Sequence, residues 1–183
     1  MTEEAWVNEI LKISARLADR KRAGQQICNQ PQLLKYSLSF IKTSSNSELT
    51  TKSAYAVDQA LREDIELLKN YKPLFFQTLV TVTGDTEKRI FAKILELVSQ
   101  SYIKKHFPLS EQELQLMIST CFDWLMTNEK VAVKVFAMQC IYNLKETQPW
   151  IVSELKAQLE NQFQNASQAF QSRARHILKK LKN

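Results

Sequence analysis

Glycine is almost missing from this chain: Gly24 and Gly84 are the only two in 183 residues. A phosphate-cradling loop or a nucleophile elbow needs several glycines at fixed spacing, so neither can be built here. Histidine is as scarce. His106 and His176 lie 70 residues apart, outside any Glu-x-x-His or His-x-x-x-His pattern, so no zinc or di-iron signature is present. The three cysteines, Cys28, Cys121 and Cys140, are odd in number, widely separated and set among apolar residues. They are expected to be reduced, buried thiols rather than disulfides or metal ligands. Long apolar runs are lacking too: Leu74-Phe75-Phe76 and the interrupted stretch from Val131 to Met138 fall far short of the ~20 residues that cross a bilayer. The opening Met-Thr-Glu-Glu-Ala-Trp is acidic where a secretory signal would be basic. These features together lead to the expectation of a cytoplasmic protein with no membrane attachment, no metal and no cofactor.

What the chain does have is helix-forming sequence, punctuated by Pro31, Pro73, Pro108 and Pro149 at intervals of 42, 35 and 41 residues. Proline is tolerated in the first turn of a helix, where its missing N–H has no partner to lose, so recurrent prolines ahead of apolar-periodic stretches mark recurrent helix starts. The first helix carries Trp6, Ile10, Ile13 and Leu17 and is expected to stop near Ala23-Gly24. Leu33, Leu34, Leu38 and Ile41 follow Pro31, and a polar turn at 43–47 leads into a helix bearing Leu49, Ala56, Ala60 and Leu61 that continues toward Leu68. A third set turns at Thr83-Gly84-Asp85. The fourth opens with Ser110 and Glu113, spaced as in a capping box. Nothing reads as strand. With 44% hydrophobic and 24% charged residues, the composition suits one domain over 1–183, comprising N-terminal capping helices over 1–30 and four helix pairs over 31–183.

Aligning the second helix of each pair exposes a finer pattern. Asn46, Thr83, Asn128 and Ser167 are good N-cap residues, and six positions after each stands Lys52, Arg89, Lys134 or Arg173. Arg89 and Lys134 are followed three residues later by Ala92 and Ala137; Ala56 comes four after Lys52, and His176 takes the alanine place after Arg173. With a period near 40 residues, this resembles the HEAT and armadillo kind of helical repeat, most clearly over 31–183. The resemblance implies an all-α, right-handed α-α superhelix of about five helix pairs. In that family the polar residue and the cation six later commonly form a hydrogen-bond ladder between repeats. The alternative for Lys52, Arg89, Lys134 and Arg173 is a basic stripe on a concave surface, facing an anionic partner.

Charge is unevenly placed. All 19 acids lie before residue 161, whereas the last stretch holds Arg173, Arg175, Lys179, Lys180 and Lys182 with none, so most of the net +6 sits in one helix. On a helical wheel Phe170, Ala174, Ile177, Leu178 and Leu181 fill one sector and the cations with His176 the rest. Such a helix is docked on one side and cationic on the other. It can serve as a phosphate- or acid-binding surface, or as a polar end cap whose last-turn cations complement the helix dipole.

No catalytic constellation emerges. Asp58 with Arg62 and Glu63 with Glu66 sit at spacings that serve exposed helix pairs. In size and charge the chain is similar to HEAT-like alkylation-repair DNA glycosylases, which implies DNA held in a cleft lined by aromatic and acidic side chains; Trp124 beside Asp123, and Trp150 with Glu154, are the residues that could imitate such a pair. Both tryptophans are expected to be packing residues. The chain also looks like short bacterial all-helical proteins sometimes labelled adenylosuccinate lyase, but it lacks that superfamily's mobile glycine- and serine-rich loop. The reading is a non-catalytic scaffold for a protein or other macromolecular partner, with DNA binding as the alternative.

Overall fold

The computed structural model describes residues 1–181, and among them there are ten α-helices, one 3-10 segment and no strand. The helices are α1 (Glu3–Leu11), α2 (Leu17–Asn29), α3 (Gln32–Thr43), α4 (Ser47–Glu63), α5 (Lys72–Leu79), α6 (Asp85–Ile103), α7 (Glu111–Met126), α8 (Val131–Asn143), α9 (Ile151–Phe163) and α10 (Gln168–Leu181); the 3-10 segment is Ile65–Tyr71. Lys182, counted among the terminal cations, lies outside the described residues. The chain divides into two compact units, one over Met1–Ile94 and one from Leu95 onward, with the division inside α6.

Punctuation largely follows the sequence. Pro31 stands immediately before α3, Pro73 is the second residue of α5, and Pro149 precedes α9 by two. The Asn46 carboxamide accepts from the N–H groups of Glu48 and Leu49 at 3.0 and 3.1 Å, which satisfies donors that the start of α4 would otherwise leave open. Ser110 and Glu113 form the expected reciprocal capping box at α7. Ser167 accepts from Phe170 N–H at 3.4 Å at the start of α10.

Four expectations need correction. The first helix is two, because the chain breaks between Leu11 and Leu17, where the Ser14 hydroxyl donates to Asp19 and accepts from Arg16 N–H. Gly24 does not stop a helix. It is buried in the middle of α2, and a Cβ there would meet the backbone of α4 at Ala60 N at 2.8 Å, so glycine is present to let two helices approach. The helix through Leu61 does not reach Leu68: it ends at Glu63, and Asp64 caps the 3-10 segment by accepting from Glu66 N–H at 2.9 Å. Asn128 is not the cap of α8, which starts at Val131 with Lys130 in the N-cap position.

In the unit over Met1–Ile94, α4 packs against α1, α2 and α3. Several of its buried residues are small, with Ala54, Ala56 and Ala60 fully buried, and α2 lies close enough for the Cys28 thiol to reach Ala60 O at 3.9 Å. Trp6 fills the space between α1 and α3, and its indole N–H donates to Ser37 Oγ at 2.9 Å, so the one polar atom of that side chain is satisfied in the core. Phe75 of α5 stacks on Phe91 of α6 at 5.2 Å and 6°.

In the unit from Leu95 onward, α8 packs against α7, α9 and α10. Being enclosed on three sides explains why its sequence is apolar all round rather than along one stripe. Ala137 and Met138 are fully buried in it, and Cys140 lies beside Cys121 of α7, both without exposure. A hydrogen bond with the Cys140 thiol, together with burial, pushes the Cys121 thiol well above its ordinary range. Helix α6 ends with Lys105 in the left-handed region at φ 62°, where His106 N–H reaches back to Ser101 O at 3.0 Å and Lys105 N–H to Tyr102 O at 2.8 Å. This is the Schellman arrangement with lysine in the place that glycine usually takes.

Candidate functional site

The cations that the sequence placed six residues after each cap divide by what they touch. In the first unit, Lys52 Nζ donates to Leu11 O at 2.5 Å and pairs with Glu48 at 2.7 Å, so it closes the C-terminal end of α1 from α4. Arg89 on α6 is exposed. In the second unit, Lys134 Nζ donates to Gln162 Oε1 at 3.0 Å, and Gln162 Nε2 donates to Leu125 O at 3.1 Å, a relay from α8 through α9 to the end of α7. Burial lowers the Lys134 ammonium below the usual lysine range, an effect that Glu129 partly offsets. Arg173 donates to Gln139 Oε1 at 2.9 Å on α8 and stands 3.6 Å from Glu96 on α6. Burial raises Glu96 above the usual carboxylate range despite that arginine.

Polar ties of the same kind were not foreseen. Asp58 is buried and accepts from Arg62 at 2.9 Å, Gln59 at 3.0 Å and Lys93 of α6, whose Nζ lies 3.1 Å away. The Asp58–Arg62 pair therefore exists but is not a solvated face: the carboxylate is 9% exposed and joins α4 to α6. Thr51 donates to Glu87 at 2.5 Å across the same two helices. In the second unit, Asn143 Nδ2 donates to Ser99 Oγ at 2.9 Å, joining α8 to α6. Each tie joins the second helix of one pair to the second helix of another.

The outer face of α10 is different. Arg175, His176, Lys179 and Lys180 are exposed, while Phe170, Ala174 and Ile177 are buried against α8 and α9. His176 is thus not at the inward small position, which Ala174 occupies instead: the repeat register slips in this helix. The Arg175 guanidinium stands over the Phe163 ring at 5.7 Å, and Lys180 approaches the Tyr142 ring at 5.9 Å, with Lys145 on the same ring at 5.8 Å. These cations rest on aromatic rings, contacts worth about 0.5–1 kcal/mol at exposed sites. Sequence reasoning found the cations but not Phe163 and Tyr142, which reach them from α9 and α8.

Helix pairs joined through buried alanines and polar ties between their second helices are the architecture of one repeat family, and the family model described as HEAT repeat domain matches residues 7–181. The chain belongs to the HEAT repeat domain family. No curated protein matches it, and no solved structure does. The residues that would imitate a glycosylase pair are differently placed. Trp124 is buried while Asp123, about a third of a turn away on α7, is exposed, so the two face different surroundings. Trp150 departs from expectation, being 44% exposed at the start of α9 with its ring on Phe122 at 5.4 Å. Glu154 accepts from Gln158 at 2.9 Å. No helix among the described residues is long and apolar enough to cross a membrane, and no group of three or more metal-ligating side chains occurs among them.

Proposed function

We propose that this HEAT-repeat chain is a non-catalytic scaffold that holds a protein partner, and that the outer face of α10 is its contact surface. The observation that carries this reading is the contrast within one set of cations. Lys52, Lys134 and Arg173 spend their hydrogen bonds on neighbouring helices, whereas Arg175, Lys179 and Lys180 stand exposed, Arg175 and Lys180 beside aromatic rings. Exposed cations contribute little to stability and are available to a ligand. HEAT membership supports the scaffold role, since stacked helix pairs offer extended surfaces to macromolecules. The three free thiols support a reducing compartment, the cytoplasm.

Affinity capture from the native host followed by mass spectrometry tests the reading. A partner retained by the wild-type chain and lost when Arg175, Lys179 and Lys180 become Gln supports it; capture indifferent to those substitutions contradicts the choice of surface. A nucleic-acid partner draws on the same cations, because clustered Lys and Arg gain affinity by releasing counterions from phosphates. Its test is a mobility shift at ~50 mM salt, where phosphate-driven binding is strong. Absence of a shift there removes that reading.

A further inference from the structure

Helices α9 and α10 leave a groove lined by Glu160, Phe163, Gln164, Arg175, Leu178 and Lys179. Its floor is apolar, because Phe163 and Leu178 are only partly covered. Its rim is cationic, because Arg175 and Lys179, four residues apart on α10, stand about 6 Å apart along the helix axis. The one acid on the rim, Glu160, lies 3.9 Å from Lys156 of its own helix. The nearby backbone end of α9 is closed, since Gln171 Nε2 donates to Phe163 O at 2.9 Å. The groove therefore offers a hydrophobic seat and two positive charges a helical turn apart.

Resting on the scaffold reading, we propose that this groove binds an acidic, apolar-anchored segment of a protein partner. A leucine or phenylalanine side chain sits against Leu178 and the part of Phe163 that Arg175 leaves uncovered, and carboxylates one turn apart meet Arg175 and Lys179. Charge complementarity selects the acids, and the helix-in-groove mode selects the spacing. A single strand of nucleic acid fits less well. It needs open aromatic faces on which bases stack, whereas Phe163 carries the Arg175 guanidinium and Tyr142 is approached by Lys145 and Lys180.

The test is fluorescence anisotropy on the full chain with three labelled probes. One is a peptide of roughly 12 residues, about three helical turns, in which Glu pairs at i and i+4 alternate with Leu and Phe. The second has the same charges with Ser in place of every apolar residue, and the third is a single-stranded oligonucleotide of equal charge. The amphipathic peptide is expected to bind at least about tenfold more tightly than either control, a 1.4 kcal/mol margin. Arg175→Gln with Lys179→Gln should weaken it at least about tenfold and flatten its salt dependence, whereas Leu178→Ser should weaken it at unchanged salt dependence. Circular dichroism of each variant separates lost binding from lost folding. The proposal is overturned if the amphipathic peptide does not bind, if the Ser peptide or the oligonucleotide binds as tightly, or if folded Arg175→Gln/Lys179→Gln protein binds as well as wild type. A host partner retained by that double variant would sink this groove and leave the scaffold standing; no partner captured by wild-type protein would sink the scaffold reading itself.

Discussion

Gly24→Ala separates two physical effects that predict opposite signs. Intrinsic propensity favours alanine in a helix interior by about 0.8–1.0 kcal/mol, so propensity alone predicts a more stable protein. The packing of α2 on α4 predicts the reverse. A Cβ at Gly24 would lie 2.6 Å from Gln59 Cβ, 2.8 Å from Ala60 N and 2.9 Å from Gln59 C, against 3.4 Å for ordinary contact. The helices must therefore part by up to about 0.8 Å, and two of the three obstructing atoms are backbone that cannot rotate away. Overpacking of this kind costs roughly 1–3 kcal/mol, occasionally more. Taking the upper end and subtracting the propensity gain leaves a net loss of about 2 kcal/mol. For a chain of this length that lowers Tm by about 4–8 °C in a far-ultraviolet circular dichroism melt. A Tm equal to or above wild type would refute the close approach and restore Gly24 to an ordinary helix position.

Asp58→Ala strands Lys93 in a half-buried site and should cost about 3 kcal/mol by urea denaturation, whereas Arg62→Ala, whose partner keeps Lys93, should cost under about 1 kcal/mol; equal losses would contradict the asymmetry. Lys105→Gly relieves a left-handed residue worth about 1–2 kcal/mol, less the extra freedom glycine gains in the unfolded chain, and should raise stability by about 0.5–1 kcal/mol. Glu96 has its folded pKa raised, so the stability it contributes is complete while it is protonated and is lost as pH rises through the folded value. The Tm of wild type relative to Glu96→Gln should therefore fall as pH rises above the ordinary glutamate value of about 4.3; a relative Tm that climbs would mean that the Arg173 pair outweighs burial.

The repeat was legible in the sequence because its signals are local. A proline ahead of an apolar stretch, Asn46 or Ser167 before a helix, and Ser110 with Glu113 each act within one turn, so spacing alone reveals them. Ala92 and Ala137 were legible for a related reason, since a small residue recurring at one register position marks a close contact whichever helix supplies the other side. What failed depended on distant neighbours. Gly24 looks the same as a stop or as a contact until α4 is laid against it. Asp58 with Arg62 has the spacing of a surface pair, and only Lys93, 35 residues away, shows the carboxylate to be buried. Lys105 carries no glycine signal because a lysine holds the left-handed turn. At the candidate site the cations were visible as composition, whereas Phe163 and Tyr142 belong to other helices and join them only when α10 docks.

The division of the cations into internal ties and an outward contact surface is tested most directly by one affinity-capture measurement on two triple variants, with the folded fraction of each fixed by its melt. Lys52, Lys134 and Arg173 changed to Met should lower Tm, since each hydrogen bond to a charged group contributes about 1.5–3 kcal/mol, while the protein still folded at the capture temperature retains its partner. Arg175, Lys179 and Lys180 changed to Gln should leave Tm within a few degrees and lose the partner. The opposite pattern, with partner binding lost in the folded Met variant and kept in the Gln variant, would contradict the account.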